Sequence, residues 1–264
     1  MPEPREVTRY TRRIGAGIER VWENVRDWEH LPWLHRASFR SIALEDEGER
    51  GWRARLGLAN GREIRLELAI EGARYVSRTL EGDGAGSEIW TSLREIDDAH
   101  TDIEVAFLVP GVSADAAVKL GPAYVQLYTR LWDEDESMMQ RRAALLARRA
   151  ELFAPLPTDA ESVDLGPAAH VRAPLDVEFA GRPYRVARRG DALVAYSRVC
   201  PHWLGPLADA AEADGALACP WHGYRFDLTG GRGCGEHTRL RLLPAPRVEI
   251  GADGRARLVG TTTA

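Results

Sequence analysis

Two short stretches constrain this chain more than any other, Cys200-Pro201-His202 and Cys219-Pro220-Trp221-His222-Gly223. The pattern is C-x-H, sixteen residues, then C-x-x-H, so each Pro-stiffened loop brings one thiolate and one imidazole. Tetrahedral zinc accepts such a Cys₂His₂ set. So does a [2Fe–2S] cluster in which two Cys hold one iron and two His hold the other. Zinc fingers usually pair Cys with Cys and His with His along the chain. Here each loop is mixed, which favours the iron–sulfur reading.

The surrounding sequence resembles the Rieske family over the C-terminal third. Val177–Arg188 (VEFAGRPYRVAR) and Ala192–Val199 (ALVAYSRV) read as a hairpin feeding the first loop, and His222–Arg232 as the strand-and-turn exit of the second. The resemblance implies Cys200, His202, Cys219 and His222 as cluster ligands. Rieske proteins of respiratory complexes carry an extra, disulfide-forming Cys in each loop, and the matching positions here are Gly205 and Trp221. Phe226 stands where the high-potential type has a hydroxyl donor, so the centre resembles the low-potential ferredoxin and oxygenase type. Leu204 departs from the pattern, which often has Gly after the first ligand pair.

With 264 residues the chain has room for two modest domains, and its 44% hydrophobic and 28% charged residues are ordinary for globular proteins. A net charge of −5 gives no general attraction to nucleic acid or anionic membrane. No apolar run approaches a membrane span, and MPEPREVTRYTRR lacks the apolar centre of a secretory signal. Three Cys, two of them in the ligand motif, leave Cys234 alone and exclude a disulfide framework; it is expected as a packed thiol near the cluster loops. These features point to the cytoplasm. His100, His170 and His237 have no partner legible in the sequence.

Upstream, Val7–Ile14 reads as a strand, broken by Gly15 and Gly17, and Ile18–Glu29 as a helix with Val21, Val25 and Trp28 on one face. Pro32 is expected to end that helix. Trp52-x-Ala54-x-Leu56-x-Leu58 and Ile64-x-Leu66-x-Leu68-x-Ile70 alternate with charged residues, as half-buried antiparallel strands do, with a turn at Ala59-Asn60-Gly61. Ala73–Leu80, Glu88–Ile96 and Thr101–Val109 continue the meander. A helical period then runs from about Ser113 to Phe153, interrupted at Gly121-Pro122, with Tyr124, Leu127, Tyr128, Leu131, Met138, Leu145 and Leu146 on one stripe.

This succession resembles the helix-grip fold of the START/polyketide-cyclase superfamily, in which a sheet wraps a final helix around an apolar pocket. Trp33, Trp90, Tyr124 and Tyr128 are aromatic candidates for its lining, or for plain core. Ala154–Pro167 (APLPTDAESVDLGP) is unpatterned and reads as a linker. The expected organisation is α+β: a helix-grip domain over 1–153, a linker over 154–167 and an all-β Rieske domain over 168–264.

The first helix carries a second constellation. Asn24-x-x-Asp27-x-x-His30-x-x-x-x-His35 resembles the mononuclear-iron motif of Rieske non-haem iron oxygenases, whose catalytic domain is itself helix-grip. The chemistry needs two His and one carboxylate, leaving positions open for O₂ and substrate. His30 is expected one helical turn after Asp27, and the bend at Pro32 is expected to return His35 towards it. Asp133-Glu134-Asp135-Glu136 offers four candidates for the carboxylate. At about 100° per residue, Asp133 points away from Leu131, Glu136 lies off the stripe, and Asp135 falls about 40° from Leu131. An apolar-facing carboxylate is costly unless it is paired or holds a metal. Asp135 is the expected ligand, with Glu134 in reserve.

The resemblance implies an oxygenase component that takes single electrons from an NAD(P)H-dependent reductase, with or without a ferredoxin. No nicotinamide or flavin fingerprint occurs in the chain. In the family, a cluster feeds the iron of a neighbouring subunit in a ring, past an Asp whose matching position is Asp27; a trimer is implied. Fe(II) would serve monooxygenation, as hydroxylation or oxidative demethylation, of a small apolar or aromatic substrate, ahead of ring dihydroxylation. The family ordinarily places the Rieske domain first, and this chain reverses the order. Two rivals stand beside it: a helix-grip binding pocket fused to a Rieske electron carrier, and a cyclase-like enzyme with a regulatory cluster.

Overall fold

In the computed structural model, which describes residues 4–157 and 159–260, the alternating segments form one antiparallel sheet. Its strands are β1 (Pro4–Ile14), β2 (Phe39–Gly48), β3 (Gly51–Leu58), β4 (Glu63–Glu71), β5 (Arg74–Gly82), β6 (Glu88–Asp97) and β7 (His100–Pro110), in the spatial order β1-β7-β6-β5-β4-β3-β2. The pleat puts Trp52, Ala54 and Leu56 of β3 inside, while Arg53 and Arg55 point out. On the outer face, Arg53 meets Glu67 at 2.6 Å, Arg65 meets Glu45 at 2.8 Å and Arg78 meets Glu88 at 3.0 Å. Such part-exposed pairs add little stability each, but opposite charges favour the observed register.

A helix α1 (Ile18–Arg26) and a one-turn helix α2 (Leu31–Leu34) separate β1 from β2, and α3 (Ala114–Leu146) follows β7. Ile14, Val21, Val25, Trp52, Phe107, Trp132 and Met139 share one core, so α3 and α1 pack on the concave face of the sheet. Polar anchors fix the register of α3: Arg12 reaches Asp133 and Glu136 at 2.5 Å each, and the Gly15 N–H donates to Glu136 at 2.7 Å. This is a helix-grip arrangement.

Three sequence expectations change here. The first helix stops at Arg26, with Asp27 in an extended conformation (ψ 101°), so Trp28 and Glu29 lie beyond it. Pro32 does not terminate it but sits in the first turn of α2, where its missing N–H has no intrahelical acceptor to lose. α3 runs unbroken through Gly121-Pro122. Val118, whose carbonyl loses its partner to Pro122, is 76% exposed and open to water, and Gly121 packs close to Thr8. β2 carries no legible alternation because this edge strand is exposed along most of both faces.

The chain divides into two compact units, Met1–Ala143 and Ala144–Ala264. The second contains a short helix α4 (Arg149–Phe153) and three three-stranded sheets. Their strands are β8 (Val163–Pro167), β9 (Leu175–Phe179), β10 (Arg182–Arg189), β11 (Ala192–Ser197), β12 (Ala211–Ala213), β13 (Ala216–Ala218), β14 (Arg225–Asp227), β15 (Arg247–Ile250) and β16 (Arg255–Val259). β9, β10 and β11 make the expected hairpins, and β12-β13-β14 form a second small sheet. The unpatterned stretch 154–167 holds β8, which pairs with β16. Its only apolar alternation is Val163 and Leu165, too short a signal to read from sequence. Among the described residues, no helix is long and apolar enough to cross a membrane.

Candidate functional site

The first ligand loop leaves β11 and folds back on itself. Cys200 N–H donates to Gly205 O at 2.9 Å, and Leu204 N–H donates to Cys200 O at 3.0 Å. Leu204 takes the left-handed conformation (φ 64°) and is 1% exposed, packed with Leu152, Val199 and Leu243. This accounts for the glycine common at that position: the turn demands positive φ, and here a leucine accepts it in exchange for burial. The second loop closes through Gly223 N–H to Cys219 O at 2.8 Å and Cys219 N–H to Tyr224 O at 2.9 Å.

The loops bring the four expected donors together. Cys200 and Cys219 are each 1% exposed, and the His202 and His222 rings lie 4.8 Å apart. A hydrogen bond with Cys219, and then burial, hold the Cys200 thiol well above its usual range. A bound cation reverses that preference, because thiolates are what it attracts. A Cβ on Gly205 would lie 2.8 Å from Cys219 Sγ and 3.1 Å from the Trp221 ring. The cradle therefore needs glycine there, and the Trp221 ring fills the space beside it. Phe226 is fully buried below, paired with Leu217. His202 packs on Tyr224 at 4.1 Å, and Tyr224 stacks on His237 at 3.7 Å, giving His237 a neighbour that the sequence did not disclose. His100 likewise finds Asp97, at 2.8 Å from its Nδ1. Cys234 is half-buried.

The second constellation lies in the other unit. His30 and His35 are the two caps of α2, His30 opening it and His35 closing it, and their rings stand 5.1 Å apart. Asp135 enters from α3. His35 Nε2 is 3.1 Å and His30 Nε2 3.5 Å from Asp135 Oδ1. One ligating atom from each of the three can be chosen so that all lie within 4.8 Å of one another, and all three residues are buried. His30 is thus not a helical turn beyond Asp27 on one helix, yet its Nδ1 still sits 3.3 Å from Asp27 Oδ2.

Three neighbours of this cluster take places that the sequence reading did not assign to them. Asn24 Nδ2–H donates to Asp135 Oδ1 at 3.0 Å, from a buried position on α1. Glu134 does not face the triad's centre; its Oε2 lies 2.6 Å from His35 Nδ1, on the far side of the ring. Trp132, missing from the expected stripe, is 3% exposed and walls the site. Burial works against charge on His35, but Asp135 and Glu134 outweigh it and raise the imidazole's pKa. Burial likewise works against the Asp135 carboxylate, and His35, His30 and Asn24 outweigh it and lower the pKa. Charge on His35 and charge on Asp135 thus favour one another, and imidazole nitrogens and a carboxylate are groups that a divalent cation binds.

His30, His35 and Asp135 open into a cavity of about 550 Å³ between the sheet and α3. Tyr124 and Tyr128 line it, as does Trp52. Trp33 and Trp90 are not among the lining residues: Trp33 is 44% exposed, and Trp90 lies under Arg74 at 4.4 Å. Two imidazoles and one carboxylate beside a cavity are the kind of donor set that non-haem Fe(II) takes.

Residues 161–242 match the family described as Rieske [2Fe-2S] domain. The chain thus carries a C-terminal Rieske [2Fe–2S] domain beside its N-terminal helix-grip domain. It is 39% identical over 62 residues to the oxygenase component of dicamba O-demethylase from Stenotrophomonas maltophilia, covering 23% of this chain and 18% of that protein. It is 47% identical over 45 residues to the cytochrome b6-f complex iron-sulfur subunit of Chlorobaculum thiosulfatiphilum, covering 17% of this chain and 24% of that one. The matches therefore span less than a quarter of either relative. Among solved structures, the Zhui aromatase/cyclase of Streptomyces sp. R1128 aligns with a TM-score of 0.41 at 16% identity, over 53% of this chain and 96% of that one.

Proposed function

We propose that this chain is the oxygenase component of a Rieske-type non-haem iron system, with Fe(II) held by His30, His35 and Asp135. The observation that carries the reading is the meeting of two buried imidazoles and a buried carboxylate at an apolar cavity, in a chain that also has a Rieske domain. Fe(II) bound there would supply O₂ activation beside a small apolar or aromatic substrate.

The chain's own residues prepare that site. Glu134 takes the Nδ1 side of His35, which leaves Nε2 as the lone-pair donor towards the metal. Asn24 fixes one oxygen of Asp135. Burial of His30, His35 and Asp135 raises the worth of each charge among them. Asp27, beside His30 Nδ1, is the residue we assign to relaying single electrons from the cluster of a neighbouring subunit. Electrons enter that cluster from a separate NAD(P)H-dependent reductase, with or without a ferredoxin. The assembly is a head-to-tail ring, a trimer, in the cytoplasm. Monooxygenation, as hydroxylation or oxidative demethylation, comes ahead of ring dihydroxylation. The similarity to the oxygenase component of dicamba O-demethylase agrees with this over the short segment it covers.

Iron quantification after anaerobic reconstitution tests the reading. The expected result is one iron per chain beyond the pair in the cluster, and His35→Ala should remove it together with O₂ uptake while the cluster's visible absorption stays. Only the cluster's iron in the unaltered protein would leave a helix-grip binding domain joined to an electron carrier.

A further inference from the structure

The cavity is polarised along its length. On α3, the lining residues Asp135, Tyr128 and Tyr124 succeed one another, so the cavity runs about 16 Å along that helix from the triad. On β5, the lining residues Tyr75, Ser77 and Thr79 share one face, and Thr79 lies about 13 Å beyond Tyr75. Tyr75 marks the triad's end: its ring packs edge-on against Trp22 of α1, the helix that also carries Asn24, with centroids 6.5 Å apart. Thr79 marks the other end, where its N–H donates to Ser87 O at 3.0 Å across the β5–β6 hairpin.

The hydroxyls of Thr79 and Ser87 therefore stand at the end remote from the triad, and that of Ser77 one same-face step nearer to it. The Ser87 hydroxyl is buried and has no hydrogen-bond partner, an expense that a bound ligand would offset. Among the described residues, no hydrogen bond engages the Ser77 or Thr79 hydroxyl. Between the two ends the walls are apolar, with Leu66, Leu68, Ile89 and Leu131 among them. Among the described residues, no lysine or arginine lines the cavity. Two arginines come close to its rim and both are engaged, Arg62 by Asp83 and Arg130 by Ser38 at 2.8 Å.

We infer that the substrate is an uncharged, elongated apolar molecule with a hydroxyl or arylamine at the end away from the triad, read by Ser77, Thr79 and Ser87, and that a carboxylate in place of that group is rejected. A carboxylate buried at that end would find hydroxyl donors but no cation, and hydroxyls alone do not repay its dehydration. A neutral hydroxyl both donates to and accepts from such a strip. The inference rests on the oxygenase reading for the word substrate; the binding preference does not need the iron.

Equilibrium dialysis of the full chain with its cluster, kept anaerobic so that nothing turns over, tests it with trans-4-hydroxystilbene, trans-stilbene and trans-stilbene-4-carboxylate. The phenol should bind about fivefold tighter than the hydrocarbon and about tenfold or more tighter than the carboxylate. In the combined variant Ser77→Ala, Thr79→Val, Ser87→Ala, the phenol should fall to the affinity of the hydrocarbon, whose own binding stays unchanged and reports an intact pocket. A carboxylate that binds as well as the phenol, a phenol preference that survives in the variant, or no binding of any of the three overturns the inference. If the variant does not fold, the ranking of the three ligands on the unaltered protein decides alone. Iron counted on the same samples keeps the two questions apart: a missing extra iron sinks the oxygenase reading and leaves the ranking to judge the pocket.

Discussion

Glu134 Oε2 stands 2.6 Å from Nδ1 of His35, while Nε2 of the same ring faces Asp135 at 3.1 Å. Neighbours on α3 thus address opposite edges of one imidazole. A carboxylate at Nδ1 fixes the tautomer and the tilt of the ring and makes Nε2 a better donor. Removing it should weaken metal binding without touching a ligand. Glu134→Ala is expected to lower Fe(II) affinity about 10- to 100-fold, and Glu134→Gln to lower it less, since its amide oxygen can still accept from Nδ1–H. Anaerobic Fe(II) titration measures both. Equal affinity in all three proteins would mean that His35 is oriented by packing alone.

Leu204 sets two effects against each other. Its left-handed backbone costs about 1–2 kcal/mol for a non-glycine residue. Its side chain is 1% exposed, and removing a buried leucine typically costs about 2–5 kcal/mol. Burial outweighs strain. Leu204→Gly, although it restores the commoner residue, should lower the stability of the Rieske unit by about 2 kcal/mol, the difference between the midpoints of the two ranges. Thermal unfolding followed through the cluster's visible circular dichroism gives the sign, and a raised Tm would show that strain dominates.

Gly205 has no such freedom. A methyl group there would meet Cys219 Sγ at 2.8 Å and the Trp221 ring at 3.1 Å, inside contact distance of both. The sulfur cannot move without leaving its ligand position, and the indole is held in a buried site. Gly205→Ala is expected to cut cluster loading sharply while Fe(II) affinity in the helix-grip unit stays unchanged. Visible absorbance per chain, read against that affinity, separates a loop defect from general misfolding.

Glu23 links α1 to α3 through Arg142 at 2.8 Å and to Arg20 within its own helix. Burial pushes its carboxyl pKa up, but Arg142 and then Arg20 prevail, and the net shift is downward. A carboxylate with a depressed folded pKa contributes stability above its unfolded value, near 4.3, and loses that contribution as pH falls through the folded value. The Tm gap between the unaltered protein and Glu23→Gln should therefore be full at pH 6 and close below pH 4. A gap that persists at low pH would assign the effect to packing.

How far the sequence discloses this architecture follows from which signals are local. The alternation in Trp52–Leu58 and Ile64–Ile70 is local and becomes β3 and β4, whereas β2, exposed along most of its length, offers none. The helical phase of Asp135 follows from its neighbours, and the residue is indeed buried and inward. Glu134 is ambiguous by phase alone, because its partner is set by the orientation of His35 across α2. Asn24 sits in plain view as a polar residue on an apolar face, but its acceptor lies on a helix distant in sequence. Pro32 carries a rule with two outcomes, terminator or first-turn residue. What decided between them is that Asp27 had already left helical geometry.

Asp27 itself separates positioning from ligation. Its Oδ1 accepts from the Glu29 N–H at 3.1 Å and its Oδ2 lies 3.3 Å from His30 Nδ1, so it does not point its oxygens at the centre shared by His30, His35 and Asp135. Asp27→Asn keeps the shape and the turn contact and removes the charge. If Asp27 relays electrons, the variant should keep its cluster and its extra iron, yet reoxidise the reduced cluster far more slowly when O₂ and substrate are supplied in a single turnover. Stopped-flow absorbance of the cluster follows that rate, and metal analysis on the same preparation checks occupancy. Loss of the extra iron in proportion to the rate would instead make Asp27 a support for His30. An unchanged rate would remove it from the electron path altogether.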